Sequence, residues 1–255
     1  METWKRIRRF TVVVLVGITL LLLTHCLGTT AAPRESIVPI PNASWRTAIK
    51  LKSRGATTAG DFLTADPAGW RDLMPDGSFR GWTRVPIPPD KPLDPVSQWK
   101  LDQKHGTIVC EGNHGHEWLR YDHELTNFLI HVEWRFERRE GLKGYNSGVF
   151  VRNDLTGRVW HQAQVGPTAY IFGQTLIHGE LTPITKTAPP AADPLHPIGE
   201  WNTYEVRCDG PKITLWVNGQ LAGEFAAPEV PKGYWGLEAE GYHIEFRNIK
   251  LKILP

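Results

Sequence analysis

Sulfur is scarce in this chain: its 255 residues include three cysteines, Cys26, Cys110 and Cys208, and two methionines. So few thiols exclude a disulfide-dense scaffold and leave at most one bridge, Cys110 to Cys208, against two buried free thiols. His105, His114, His116 and His123 lie near one another in sequence, but no cysteine pairs or helical histidine spacing accompany them, so no structural zinc site is expected. His114-Gly115-His116 could chelate in a loop, and a hard divalent cation such as calcium on loop carboxylates and carbonyls stays open. Excess charge of one sign is missing too. The formal net charge is +2 and no basic stripe is interleaved with aromatics, so nucleic acid is not an expected partner. Internal repeats are absent.

What the chain has instead is tryptophan, eleven residues of it, either filling a sandwich core or facing a groove where flat rings stack on sugars. At the N-terminus, Lys5, Arg6, Arg8 and Arg9 precede the apolar run Phe10 to Leu23, and small residues Gly28 to Ala32 follow. That order matches the charged, apolar and cleavage regions of a secretory signal. The run is short for a membrane span, although Leu27 extends it, so residues 1–32 are expected to be a signal peptide or an uncleaved anchor. His25 before Cys26 is a poor fit to a lipidation site. The protein is thus expected outside the cytoplasm, periplasmic or extracellular, touching a membrane only through this segment. Residues 33–68 read as a tether and lead-in, with a sequon at Asn42 and one possible strand, Trp45 to Lys52; residues 69–255 form the folded domain.

Within that domain the apolar period is two. Phe128, Ile130, Val132, Trp134 and Phe136 share one face of a strand over 127–138, with His131, Glu133 and Arg135 on the other. Val149 and Val151 alternate with Phe150 and Arg152. Trp160, Gln162 and Gln164 oppose Val159, His161, Ala163 and Val165, and two amides beside an indole suit sugar hydroxyls. Ile213, Leu215 and Val217 end at Asn218-Gly219, a hairpin turn, and Asp209-Gly210-Pro211 makes a similar break upstream. The alternation from Ile244 to Ile253 slips near Arg247-Asn248, which predicts a β-bulge. Proline clusters at 85–95 and 183–197 predict surface loops. The fold class is all-β, a sandwich or barrel of antiparallel strands.

Six segments in order carry a family likeness: Gly69-Trp-Arg-Asp-Leu to Gly81-Trp82, Val132 to Arg135, Tyr145 to Arg152, Gly199 to Glu205, Trp216 to Gly219, and Gly236 to Gly241 with Ile244 to Ile249. The chain resembles the 3-keto-disaccharide hydrolase domain family over roughly residues 69 to 254. The resemblance implies a concanavalin A-like jelly roll of two antiparallel sheets whose concave sheet holds a carbohydrate, here a 3-keto-glycoside.

It also implies a chemistry. A ketone at C3 acidifies the C2 hydrogen, and the glycosidic oxygen on C1 is then expelled with help from one base and a group that holds the enolate oxygen. By contrast, direct glycoside hydrolysis needs two carboxyl groups at a set separation. Glu133 and Glu137, four residues apart on a strand, are about 13 Å apart, too far; Glu238 and Glu240 are about 6.6 Å apart, at the lower edge of the inverting range. The candidate bases are Glu133, Glu238, His161 and His243, the first three being assigned as catalytic; Asn146, Arg152, Trp160, Gln162, Gln164 and Glu240 are the expected substrate contacts. His161 alternates with the two glutamines and so points inward. In Trp160-His-Gln-Ala-Gln-Val165, Gln162 stands where the family more often has Glu, and Gly166-Pro167 replaces its acidic end. That departure favours the competing reading, a non-catalytic carbohydrate-binding module, with an envelope structural or adhesion domain as a third.

Overall fold

The period-two segments become strands that stack into two sheets. In the computed structural model, residues 61–187, 193–227 and 229–255 are described; the signal or anchor, the sequon and the possible strand at 45–52 lie outside them. In chain order the elements are α1 (Phe62–Ala65), β1 (Trp70–Asp72), β2 (Trp82–Pro86), β3 (Trp99–Asp102), β4 (Thr107–Cys110), β5 (Glu117–Tyr121), β6 (Phe128–Phe136), β7 (Ser147–Asn153), β8 (Trp160–Val165), β9 (Ile171–Ile177), β10 (Glu180–Ile184), β11 (Asn202–Asp209), β12 (Lys212–Val217), β13 (Gln220–Ala226), β14 (Tyr234–Ala239) and β15 (Ile244–Ile253). One sheet runs β13-β12-β11-β6-β15-β4-β3 with β1 also on β15, and the other runs β10-β9-β8-β7-β14-β5-β2. All of these pairings are antiparallel. The result is a jelly-roll sandwich: the alternation anticipates antiparallel sheets and the resemblance anticipates the jelly roll. No described helix is long and apolar enough to cross a membrane.

The inward faces of both sheets meet in one apolar core. Phe128, Ile130, Val132, Trp134 and Phe136 are buried on β6, facing Val149, Val151, Ala163, Val165 and Leu237 of the second sheet. Trp82, Trp99, Trp134 and Trp235 are core residues, so part of the tryptophan excess is packing. Cys110 and Cys208 are buried and free, and burial pushes each thiol up to about 12. They sit on β4 and β11, with β6 and β15 between them, too far apart for a bridge.

Two local readings are realised in backbone geometry. Asn218 and Gly219 take φ of 46° and 82°, closing the β12–β13 hairpin. The slip in β15 is a bulge between Arg247 and Lys250, with Asn248 at φ 49°. It separates the half of β15 that pairs with β4 from the half that pairs with β1. The described end of the lead-in segment, from residue 61, packs on the domain. Phe62 donates its backbone N–H to Glu205 Oε1 at 3.1 Å and sets its ring edge-on to Trp216, so α1 docks on the outer face of the first sheet.

Candidate functional site

The outer face of the second sheet holds a cleft of about 520 Å³. Its floor is built from alternate residues of β5, β7, β14, β8 and β9: Trp118, Phe150, Glu238, Trp160, Gln162, Gln164 and Phe172. Asn146 and His116 enter from just before β7 and β5, and Glu240 from just after β14. A proline-bearing segment, Ile87 to Pro89, leaves the edge strand β2 and forms one wall, with Asp154 to Gly157 of the β7–β8 loop as another. By strand register the side chains form two zones. Asn146, Gln164 and Glu240 lie toward the Ser147/Val165 end of the sheet, and Trp160 lies toward the Asn153 end.

Glu238 is the centre of the polar zone. It is 3% exposed, with Oε1 2.8 Å from His116 Nε2 and Oε2 accepting from Gln162 Nε2 at 2.8 Å. Burial raises its carboxyl above the ordinary value against the His116 hydrogen bond, Glu240 adds to the rise, and Gln162 opposes it. Burial disfavours the His116 imidazolium, but its bond to Glu238 and the charges of Glu238 and Glu240 leave its pKa raised. A carboxylate only accepts, so Nε2 carries the hydrogen and Nδ1 the lone pair. A second chain of amides fixes Glu240: Gln164 Nε2 donates to Asn146 Oδ1, and Asn146 Nδ2 donates to Glu240 Oε2, both at 2.5 Å. Gly148 makes the arrangement possible. A Cβ there would lie 2.5 Å from Gln162 Nε2, so only glycine lets Gln162 lie flat across β7 toward Glu238.

Ligand atoms of His116, Glu238 and Glu240 all fall within 4.8 Å of one another. One imidazole and two carboxylates could hold a divalent cation, a mixed nitrogen and oxygen set closer to transition-series preferences than to an all-oxygen calcium site. The other histidines of the sequence cluster go elsewhere: His105 pairs with Asp102, His114 with Asp94, and His123 packs on Tyr121.

The structure brings together Asn146, Trp160, Gln162, Gln164, Glu238 and Glu240 among the expected site residues. It separates three others. Glu133 lies on β6 of the opposite sheet, where it accepts from Arg247 Nε and Asn248 Nδ2; the His131 imidazole foremost, its Nε2 3.9 Å from Oε1, then Asn248 and Arg247 hold its carboxyl down to about 2. His161 points into the core, 3.2 Å from the Val151 carbonyl and 3.1 Å from Thr175 Oγ1, and burial depresses it to about 4. Arg152 leaves the cleft face because β7 bulges opposite Trp235 and Arg152 takes φ 52°. Its guanidinium donates instead to the carbonyls of Thr126, Gly210 and Val230. The fourth candidate base, His243, lies by Glu111, away from the cleft. His116 was seen only as a loop chelator; its contact with Glu238 spans 122 positions, and no local pattern encodes it.

Against known proteins, residues 69–252 match the model of the 3-keto-α-glucoside-1,2-lyase-like domain. The chain belongs to that family. This 3-keto-α-glucoside-1,2-lyase-like domain shares its fold with a Parabacteroides distasonis protein classed with the glycosyl hydrolases, at 18% identity and a TM-score of 0.51 over 78% of this chain and 99% of that one. The exoplasmic domain of VIP36, solved with Ca²⁺ and Man3GlcNAc bound, aligns at 12% identity and a TM-score of 0.51 over 73% of this chain and 89% of that one. At these identities the likeness is one of fold. Among curated proteins nothing matches the chain.

Proposed function

We propose that the protein is an exported carbohydrate-active enzyme that cleaves 3-keto-glycosides by elimination across C1 and C2. The observation that supports this most is the buried Glu238 clamped between His116 and Gln162 on the cleft floor. A standard two-carboxylate glycosidase needs a second carboxyl free to act at the anomeric carbon. Here both Glu238 oxygens are engaged and Glu240 is bound by Asn146, so the array suits one base better than an acid and nucleophile pair.

In this reading neutral His116 takes the C2 proton on Nδ1, and the electron pair forms an enolate with the C3 ketone. The enolate collapses to expel the C1 oxygen, giving a 1,2-unsaturated 3-keto sugar. The leaving oxygen takes up a proton, and water then adds at C1 as a proton returns to C2. One water is consumed and one alcohol released, with no change of redox state. Glu238 fixes the His116 tautomer and stabilises the imidazolium while it exists. With Nε2 donating to Glu238 and Nδ1 taking the proton, His116 has no nitrogen left for a metal in this reading, so the charge for the enolate oxygen has to come from another group. Lys186, the ammonium that lines the cleft, offers charge from the chain itself.

The test is incubation with a 3-keto-glucoside in D2O. Release of the alcohol with deuterium at C2 beyond the enzyme-free exchange is expected. Saturable binding without release would favour instead a carbohydrate-binding module, the reading that the glutamine at position 162 supports. The export element of the proposal rests on the charged and apolar pattern of residues 5–32.

A further inference from the structure

The cleft is not uniform along its length, and its second half has its own chemistry. Trp160, Phe150 and Phe172 form its floor, with Trp160 edge-on to Phe172 at 5.2 Å between centroids. Above them stand Leu155, 52% exposed, and Pro88 and Pro89 of the wall segment. The two walls touch. A Cβ on Gly157 would lie 2.7 Å from Pro89, so the segment leaving β2 crosses the sheet face to reach the β7–β8 loop. This half is therefore a box, apolar on several sides, beside the His116–Glu238 pair.

The side-chain oxygens of Asp154 and Asn153 are already occupied. Asp154 Oδ1 accepts from the backbone of Thr156 and Arg158 and its Oδ2 from Val159, which shapes the loop. Asn153 Oδ1 accepts from the His161 backbone. A sugar placed here would bring several hydroxyls to a site with few free partners, and each hydroxyl buried without one weakens binding. A flat apolar group would lose nothing of that kind and would gain contact with the aromatic faces.

Resting on the 3-keto-glycoside reading, we infer that the leaving group is an aromatic or apolar aglycone rather than a second sugar. The 3-keto ring occupies the polar zone at Asn146, Gln164 and Glu240, and the aglycone occupies the box floored by Trp160 and Phe172. The closed wall at Pro89 and Gly157 makes the substrate a small glycoside, not the interior of a polysaccharide.

The experiment compares methyl 3-keto-glucoside, benzyl 3-keto-glucoside and 3-keto-trehalose on the full-length protein, by kcat/KM and by equilibrium binding. Methoxide and benzyloxide are similar leaving groups, so their ratio reads contact with the box. One aromatic contact contributes about 0.5–1.5 kcal/mol, so benzyl is expected to exceed methyl by about tenfold. 3-Keto-trehalose is expected to do no better than methyl. Trp160→Ala and Phe172→Ala, each checked for an unchanged unfolding profile, should bring the benzyl-to-methyl ratio to about one to three. Equal or better use of 3-keto-trehalose, or a benzyl preference that survives both variants, overturns the inference. If nothing is turned over but benzyl still binds through Trp160, the aglycone assignment stands and the catalytic reading falls. If none of the three is bound or cleaved, both fall.

Discussion

His116 and Glu238 set each other's charge, and the proton chemistry turns on that coupling. The His116 pKa is raised against burial by Glu238 and Glu240, so the neutral base accumulates only above the ordinary value of 6.5. The rate should therefore rise with pH through an apparent pKa above 6.5, a property of the pair rather than of one residue. Glu238→Gln removes the interaction that raises it, so burial takes over and the apparent pKa should fall; a pH profile of kcat/KM checks the sign. His116→Ala should lower kcat by about 10²–10⁴, the usual contribution of a positioned base.

Glu133 gives the opposite expectation. Its folded-state carboxyl lies at about 2, below its ordinary value of 4.5, so its stabilisation is present above 4.5 and is lost as pH falls toward 2. Glu133→Gln should cost about 1–3 kcal/mol at neutral pH in a denaturant titration, shrinking through that acid window, with turnover unchanged. Period-two alternation placed Glu133 on a polar strand face, and family position made it and Glu238 alike candidates. Sheet membership separates them, and that depends on pairings more than a hundred residues apart.

Elements position the site more tightly than their sequences reveal. The inward set of β8 and the outward trio Trp160, Gln162 and Gln164 were legible because one face of a strand must meet the core. Arg152 was misplaced by the same rule, since a single bulge reverses the alternation and no residue type in Val151-Arg152-Asn153 announces it. Gln162, where the family more often has Glu, now has a physical meaning. A carboxylate there would stand against Glu238 with Glu240 nearby, whereas the amide donates to Glu238 and holds it. Gly148 guards that bond. Gly148→Ala should push the Gln162 side chain off Glu238 and lower kcat/KM by about tenfold, the equivalent of one lost hydrogen bond to a charged group. A lower melting temperature should accompany it, since Gln162 is itself buried and its displacement leaves Glu238 Oε2 without that donor.

At the scale of the whole molecule, the two outer faces of the sandwich have different work. The first sheet packs the lead-in turn α1 under Phe62 and Trp216 and buries the His131–Glu205 pair; the second carries the cleft. The proline cluster at 85–95 was recognisable as a loop, but its passage over the cleft was not, because a segment without hydrogen-bonding periodicity encodes no destination. Residues 1–32, fused to a reporter without a signal of its own, should carry it out of the cytoplasm; retention inside would remove the export assignment. The most direct test of the account is aglycone release from methyl 3-keto-glucoside and methyl glucoside by the wild type and Glu238→Gln. Cleavage of the 3-keto compound alone, lost in the variant, is the predicted result; equal cleavage of the unoxidised glucoside, or release untouched by Glu238→Gln, would contradict it.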